Sequence, residues 1–263
     1  MKIIDIIKKY EHAYFISPHY DDAILSAGNL LHALSKILPV SVVTVFTEIG
    51  MKPYTLSEKA FMRQCGYKDL KNLYVDRKNE NAKILDQIGI NRIDFGYVES
   101  LSRKSPHISD IRKALSSVIP EFNRLYPTYR FHSVSGKIAS SDNETIGKIK
   151  STLIDTDAYY HTNHKNSRLL VCPLGIGGNV DHLIVRTACA GSGLPVIYWT
   201  DFPYILKDKP DNKFLSDNNL TPLSYESDNT TKHEMIRQYT TQFMPLFKNK
   251  PIKFVTEEYY VKL

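Results

Sequence analysis

Two hydrophobic patterns alternate along this chain. Short apolar runs, several of them β-branched, occupy residues 13–18 (AYFISP), 40–47 (VSVVTVFT), 93–96, 168–173 (RLLVCP), 195–200 (PVIYWT) and 254–261. Runs of this length predict strands, and one as uniformly β-branched as 40–47 suits a strand buried on both faces. Between them lie segments with apolar residues at helical spacing. These are 22–35 (Ile24, Leu25, Leu30, Leu31, Leu34), 76–88 (Ile84, Leu85, Ile88, closed by Gly89), 108–118, 145–153, 180–190 and 232–247. Residues 126–142 are polar and unpatterned, a loop or an insertion, and 208–231, rich in Asp, Asn, Lys and Pro, predict an exposed loop. Strands alternating with helices imply an α/β fold, a three-layer α/β/α sandwich around a Rossmann-like, mainly parallel sheet. A length of 263 residues fits one domain spanning 1–263.

In such sheets ligands bind outside the carboxyl ends of the strands. Chemistry is therefore sought just after Pro18, Thr47, Phe95, Pro173 and Thr200. The first of these ends reads Ser17-Pro18-His19-Tyr20-Asp21-Asp22. Asp22 alone would serve as a helix N-cap, and His19 alone as a hydrogen-bonded loop residue. Two adjacent anions at one strand end repel each other, however, and a divalent cation resolves that repulsion. A later end carries a glycine-rich turn, Gly175-Ile176-Gly177-Gly178, followed by Asn179-Val180-Asp181-His182 at a helix start. That turn could cradle an anion, although it lacks G-x-G-x-x-G spacing and a Walker lysine. Alternatively it serves to bring His182 across the crevice to His19 and Asp22. Two histidines and a carboxylate suit zinc, with a fourth position left for water whose pKa the metal lowers toward about 7. Asp21, one residue before a ligand and itself unligated, then becomes the natural general base for hydrolysis at a polarised carbonyl.

Composition narrows the picture. An apolar fraction of 42% supports a core and excludes general disorder. No run is long enough to span a bilayer, and residues 1–10 mix Asp5 with lysines rather than leading into a secretory h-region. Three cysteines without CxxC spacing give neither a disulfide framework nor a thiolate zinc knot. A reduced, cytoplasmic protein is expected. The net charge of +6 comes from scattered Lys and Arg with no nucleic-acid module. The field it creates is better suited to drawing in an anionic small substrate. Tyrosines near strand ends (Tyr20, Tyr97, Tyr198, Tyr204) could offer faces to a sugar ring. No pattern indicates an oligomeric state.

The block Pro18-His19-Tyr20-Asp21-Asp22, together with Asn179-Val180-Asp181-His182, resembles the PIG-L/LmbE-like family of zinc-dependent N-deacetylases, which carries H-P-D-D after its first strand and H-x-D-H later. Further pieces stand in the family's order: Thr47-Glu48-Ile49-Gly50, Arg77 with Glu80, Phe95-Gly96-Tyr97, the stretch 198–204, and Tyr239 with Gln242. The resemblance implies removal of an N-acetyl group from an amino sugar of the N-acetylglucosamine type or its glycoconjugate. It implies Zn2+ on His19, Asp22 and His182, Asp21 as general base, and substrate contacts from Arg77, Glu99 and Asp181. Tyr20 stands for the family's proline and Ala23 for a frequent glutamate. Asn179 replaces the first histidine of H-x-D-H; its amide can donate to an oxyanion but cannot shuttle a proton. The turn 175–178 lacks the tyrosine that some members use as an oxyanion donor. His161 and His164 could fold back over the crevice in compensation. Two other readings remain: a catalytically impaired sugar-binding protein on the same scaffold, and a nucleotide-dependent transferase with Mg2+ on Asp21 and Asp22 and phosphates on the glycine turn.

Overall fold

The computed structural model describes residues 2–155, 168–248 and 250–262. Seven strands form one sheet: β1 (His12–Ser17), β2 (Val40–Glu48), β3 (Asn91–Val98), β4 (Arg168–Pro173), β5 (Val196–Trp199), β6 (Leu220–Tyr225) and β7 (Glu257–Lys262), in the order β3-β2-β1-β4-β5-β7-β6. Strands β1 to β5 pair in parallel, and β7 joins β5 and β6 antiparallel. The helices are α1 (Ile3–Ile7), α2 (Asp22–Leu34), α3 (Leu56–Gln64), α4 (Leu70–Gln87), α5 (Asp110–Leu115), α6 (Asn143–Ile154), α7 (Val180–Ala190), α8 (Asn212–Asp217), α9 (Thr230–Arg237) and α10 (Thr240–Phe247).

Alternation along the central strands divides the core. Phe15, Val42 and Val171 face one cluster with Leu30, Leu31, Ile84 and Ile236 from α2, α4 and α9. Their neighbours Tyr14, Ile16, Val43 and Leu170 face another with Ile149 and Ile184 from α6 and α7. Period-two side chains covered by helices on both faces make the expected three-layer sandwich and explain why β2 is buried almost throughout. Strand β1 pairs with β2 on one side and β4 on the other. The chain leaves β1 toward β3, then returns to β4, so the loops after β1 and β4 diverge and leave a crevice between them.

Helix α2 is interrupted at Ala27 (φ −127°, ψ 19°). The amides of Asn29 and Leu30 just beyond the break donate to the Glu257 carboxylate, which also pairs with Lys232 at 2.9 Å, both side chains being buried. A carboxylate at the restarted helix satisfies amides that the break would otherwise orphan. The first turn of α2, which carries Asp22, is thereby set apart from the rest of the helix.

Several boundaries differ from the sequence expectation. The stretch 51–72 holds α3, begun by a Thr55–Glu58 capping box, and the first residues of α4, which starts at Leu70 rather than Asp76. Leu70, Leu73 and Tyr74 pack with Met62 and Tyr54 in a satellite cluster that sequence periodicity does not reveal. Residues 208–231 contain α8 and edge strand β6, whose exposed positions and Pro222 disguise it as a loop. The segment 232–247 is two helices separated at Gln238 and Tyr239, and α5 is shorter than 108–118 and buries none of its residues. No helix among the described residues is long and apolar enough to cross a membrane.

Candidate metal centre and cavity

The turn after β1 is tight. The Ser17 hydroxyl donates to the His19 carbonyl at 2.6 Å and accepts the Ala23 amide at 3.0 Å. Asp22 Oδ2 accepts the His19 amide at 2.9 Å, faces His19 Nδ1 at 3.0 Å, and lies 3.3 Å from His182 Nε2. Asp22 is thus not an N-cap; its carboxylate faces the two imidazoles. On the other side of the crevice, Asn179 caps α7 by accepting the Asp181 amide at 3.0 Å, which presents His182 from the first turn. His19, Asp22 and His182 are buried, and their donor atoms lie within 4.8 Å of one another.

The remote nitrogen of each ring is held by another carboxylate. His19 Nε2 lies 3.2 Å from Asp181 Oδ2, and His182 Nδ1 lies 2.7 Å from Asp201 Oδ1. Asp181 is anchored by Arg103 and by the Ser100 amide at 2.9 Å. Arg103 in turn pairs with Asp142 at 2.6 Å and stacks over Phe46. Such partners orient metal-binding imidazoles and fix the tautomer that offers a lone pair to the ion. Burial by itself would lower the His182 pKa, but Asp22 and Asp201 outweigh it and raise it from 6.5 to about 10. His19 follows the same balance: desolvation opposes, while Asp22 and Asp181 raise it well above its ordinary value. Burial would push Asp22 up, yet the two imidazoles hold it well below the usual carboxylate range. Positive charge is therefore favoured where the three donors meet. Two nitrogens and one oxygen in that arrangement fit a divalent cation.

Asp21, Arg77 and Glu99 extend the site. Asp21 Oδ1 accepts from Arg77 Nη2 at 3.1 Å, Arg77 Nη1 lies 3.7 Å from Glu99, and Glu99 is 3.9 Å from His19 Nε2. Arg77 is only 4% exposed, and its Nε and Nη1 have no hydrogen-bond partner among the described residues. Burial pushes the Glu99 carboxyl up to about 7, partly offset by His19. These residues, with His19, Asp22 and Asn179, floor a cavity of about 730 Å³ walled by α3, the segment 128–131, residues 202–207 and α10.

Tyr204 stands on the cavity wall beside Asn179. Its ring meets His182 edge-on at 5.8 Å, and burial raises its pKa well above the ordinary phenol value. Gly177, at φ +86°, makes room for it, since a Cβ there would come within 2.4 Å of the Tyr204 ring.

Most of the expected site residues meet here, with some changes of position. Asp181 is fully buried behind His19 and is not part of the cavity lining. The glycine turn is not a phosphate cradle, because its Gly175 and Ile176 amides donate to Asp201 at 2.8 and 2.9 Å. Of the four tyrosines considered, only Tyr204 lines the cavity; Tyr20 bonds Asp94, and Tyr198 packs on Phe214. His161 and His164 lie outside the described residues. Residues 208–231 contribute nothing to the lining, whereas α10 adds Gln242, Pro245 and Leu246. Sequence reading passed over Asp201 and Arg103, and took Tyr204 only as a face for a sugar ring. Asp201 had a signal, as the first carboxylate after β5 at a strand's carboxyl end. Arg103 had none.

Sheet order and site together define a Rossmann-like α/β protein with a candidate metal centre at the topological switch point. No family model matches the chain, and no curated protein does either. Among solved structures, it is similar to a deacetylase–teicoplanin complex (TM-score 0.72, 19% identity, 95% of this chain and 97% of that one). A zinc-inhibited teicoplanin deacetylase is similar at TM-score 0.70 and 19% identity, covering 95% and 97%. So is the A40926 pseudoaglycone deacetylase, at TM-score 0.68 and 21% identity over 96% and 97%. The fold is that of the LmbE/PIG-L-like deacetylases.

Proposed function

We propose that this chain is a zinc-dependent N-deacetylase acting on an N-acetylated amino sugar of the N-acetylglucosamine type or its glycoconjugate. The observation that carries the reading is the convergence of His19, Asp22 and His182 on one point, with Asp21 beside them on the floor of a cavity. Neighbours named as deacetylases support the same class. When bound, the metal supplies Lewis acidity for the amide carbonyl and acidifies a water. Asp21, steadied by Arg77, takes the proton of the attacking water and returns it to the amide nitrogen as the C–N bond breaks, leaving acetate and a free amine. Asn179 and Tyr204, both lining the cavity, provide neutral donors for the oxyanion that develops on the acetyl carbonyl. Arg77, with donors to spare, and Glu99 hold sugar hydroxyls. Asp181 and Asp201 position the two imidazoles.

The test is acetate release from a panel of N-acetylglucosamine glycosides, with metal-loaded and chelator-treated protein and metal analysis in parallel. Zinc in the purified protein and acetate release that chelation abolishes are expected. Release indifferent to chelation, or no release from any member of the panel, would overturn the reading.

A further inference from the structure

The turn that follows β1 is held by its carbonyls, each on a different anchor. The Pro18 carbonyl accepts the Phe46 amide at 2.9 Å, the His19 carbonyl accepts the Ser17 hydroxyl, and the Asp21 carbonyl accepts the Leu25 amide at 2.9 Å. The Tyr20 carbonyl, between a candidate ligand and the candidate base, accepts from the Tyr239 hydroxyl at 3.2 Å. Tyr239 comes from the far end of the chain, at the joint between α9 and α10. It is 2% exposed, and the same hydroxyl donates to Asn81 Oδ1 at 2.9 Å. Burial, and after it the charges of Asp21 and Glu80, holds the Tyr239 pKa well above the ordinary phenol value, so the group remains a donor.

Helix α4 makes this joint rigid. Arg77, Glu80 and Asn81 stand at i, i+3 and i+4, so their side chains share one face of the helix. Arg77 donates to the Asp21 carboxylate at 3.1 Å, and Asn81 accepts from Tyr239. Glu80 accepts the Thr241 amide and hydroxyl at 2.9 and 2.6 Å, which pins the start of α10 and the residue before it. The same helix face therefore reaches Asp21 by two routes: directly at its side chain, and through Tyr239 at the peptide that precedes it. The direct route is not enough to aim the carboxylate, because one hydrogen bond to one oxygen fixes a distance and leaves the group free to swing with its backbone. The planar Tyr20–Asp21 peptide removes that freedom once its carbonyl is held. The Tyr20 side chain takes no part, since its hydroxyl donates to Asp94 at 3.3 Å.

We propose that Tyr239 is a positioning residue for the general base: its hydroxyl, braced by Asn81, fixes the Tyr20–Asp21 peptide and with it the aim of the Asp21 carboxylate. This rests on the deacetylase reading for the role of Asp21 and adds what aims it. Tyr239 is absent from the cavity lining, so it acts through Asp21 and not on the substrate. A displacement of about 1 Å in a reacting group can cost about 10²-fold in rate, which makes a single buried hydroxyl consequential here.

The experiment uses Tyr239→Phe, which keeps the buried ring and removes only the hydroxyl. Acetate release from an N-acetylglucosaminide is compared for the zinc-loaded variant and wild type. In the variant kcat should fall about 10–100-fold while KM stays within about twofold, because no substrate contact is lost. Zinc affinity, from competition with a chelator, should stay within about threefold, since Ser17 and the His19–Asp22 contact still hold the ligands. In an Asp21→Asn background the same change should cost less than about twofold, because the hydroxyl then has no base to aim. Ile236→Val, in the same core cluster, is the stability control: its melting temperature should drop by about 2–4 °C, as that of Tyr239→Phe should, with kcat unchanged. Hydrogen exchange over residues 18–25 reads the turn without turnover, and should quicken in Tyr239→Phe but not in the control. Full kcat in Tyr239→Phe, a loss that multiplies with that of Asp21→Asn, or unchanged exchange would overturn the proposal. So would a loss of zinc affinity beyond about tenfold, which would assign the hydroxyl to the ligands instead. If wild type releases acetate and Tyr239→Phe matches it, the inference falls while the deacetylase reading stands. If wild type releases none and exchange still quickens, that reading falls while the hold of Tyr239 on the Tyr20–Asp21 peptide stands.

Discussion

Asp21 and Asp22 are adjacent in sequence and carry the same functional group, yet their surroundings divide their work. Asp22 faces two imidazoles, whereas Asp21 faces a guanidinium. Asp21→Asn is therefore expected to retain zinc and lose catalysis by about 10²–10⁴-fold, since the amide cannot accept the water proton. His182→Ala should lose metal and activity together; metal analysis beside acetate release separates the two outcomes. Asp201→Asn tests the orienting carboxylate behind His182. It should weaken zinc binding by about 10–100-fold, measured by competition with a chelator, because the imidazole loses both its orienting partner and some basicity. Unchanged affinity would remove Asp201 from the site. Asp201 also accepts the two amides of the glycine turn, so a modest loss of stability should accompany the loss of affinity.

At the scale of elements, the break in α2 lets one helix do two jobs. Its first turn sets Asp22 in the crevice, and its remainder packs Leu30, Leu31 and Leu34 into the core. The Glu257–Lys232 pair holds the break from across the molecule. Glu257→Ala strands a buried ammonium and two helix amides, and is expected to destabilise the protein by about 3–5 kcal/mol in denaturant titration. Adding Lys232→Met should recover part of that loss, because the unpaired charge goes with it. Elements with a dense apolar period were readable: β4 and α7 begin and end where the pattern places them. Helix α3 and strand β6 were not. The first has a capping box but packs only against a satellite cluster, and the second is an edge strand whose outward residues are polar.

Across the whole molecule, protons and metal compete for one cluster. His182 has a folded pKa of about 10 against 6.5 for the free imidazole. A raised pKa in the folded state contributes stability that is fully present below 6.5 and is lost as pH rises through about 10. Metal-free protein should therefore melt at progressively lower temperature between those pH values, with His19 acting in the same direction. Zinc-loaded protein should show a flatter profile there, because the ring nitrogen bonds the cation instead of a proton. Melting curves with and without chelator measure the difference, and parallel profiles would argue against His182 as a ligand.

Apolar periodicity and β-branching sufficed to determine the layers and most strands, because burial on one face or both writes itself into local spacing. The meeting of His19, Asp21, Asp22 and His182 at one crevice was likewise legible, since they stand at strand ends of a parallel sheet, where ligands bind. Tertiary structure alone decided that Asp201 and Asp181 stand behind the two imidazoles and that Tyr204 lies over Gly177 next to Asn179. These relations join residues far apart in the chain through side-chain geometry, and a charge or hydroxyl on a loop has no periodicity from which its partner can be read.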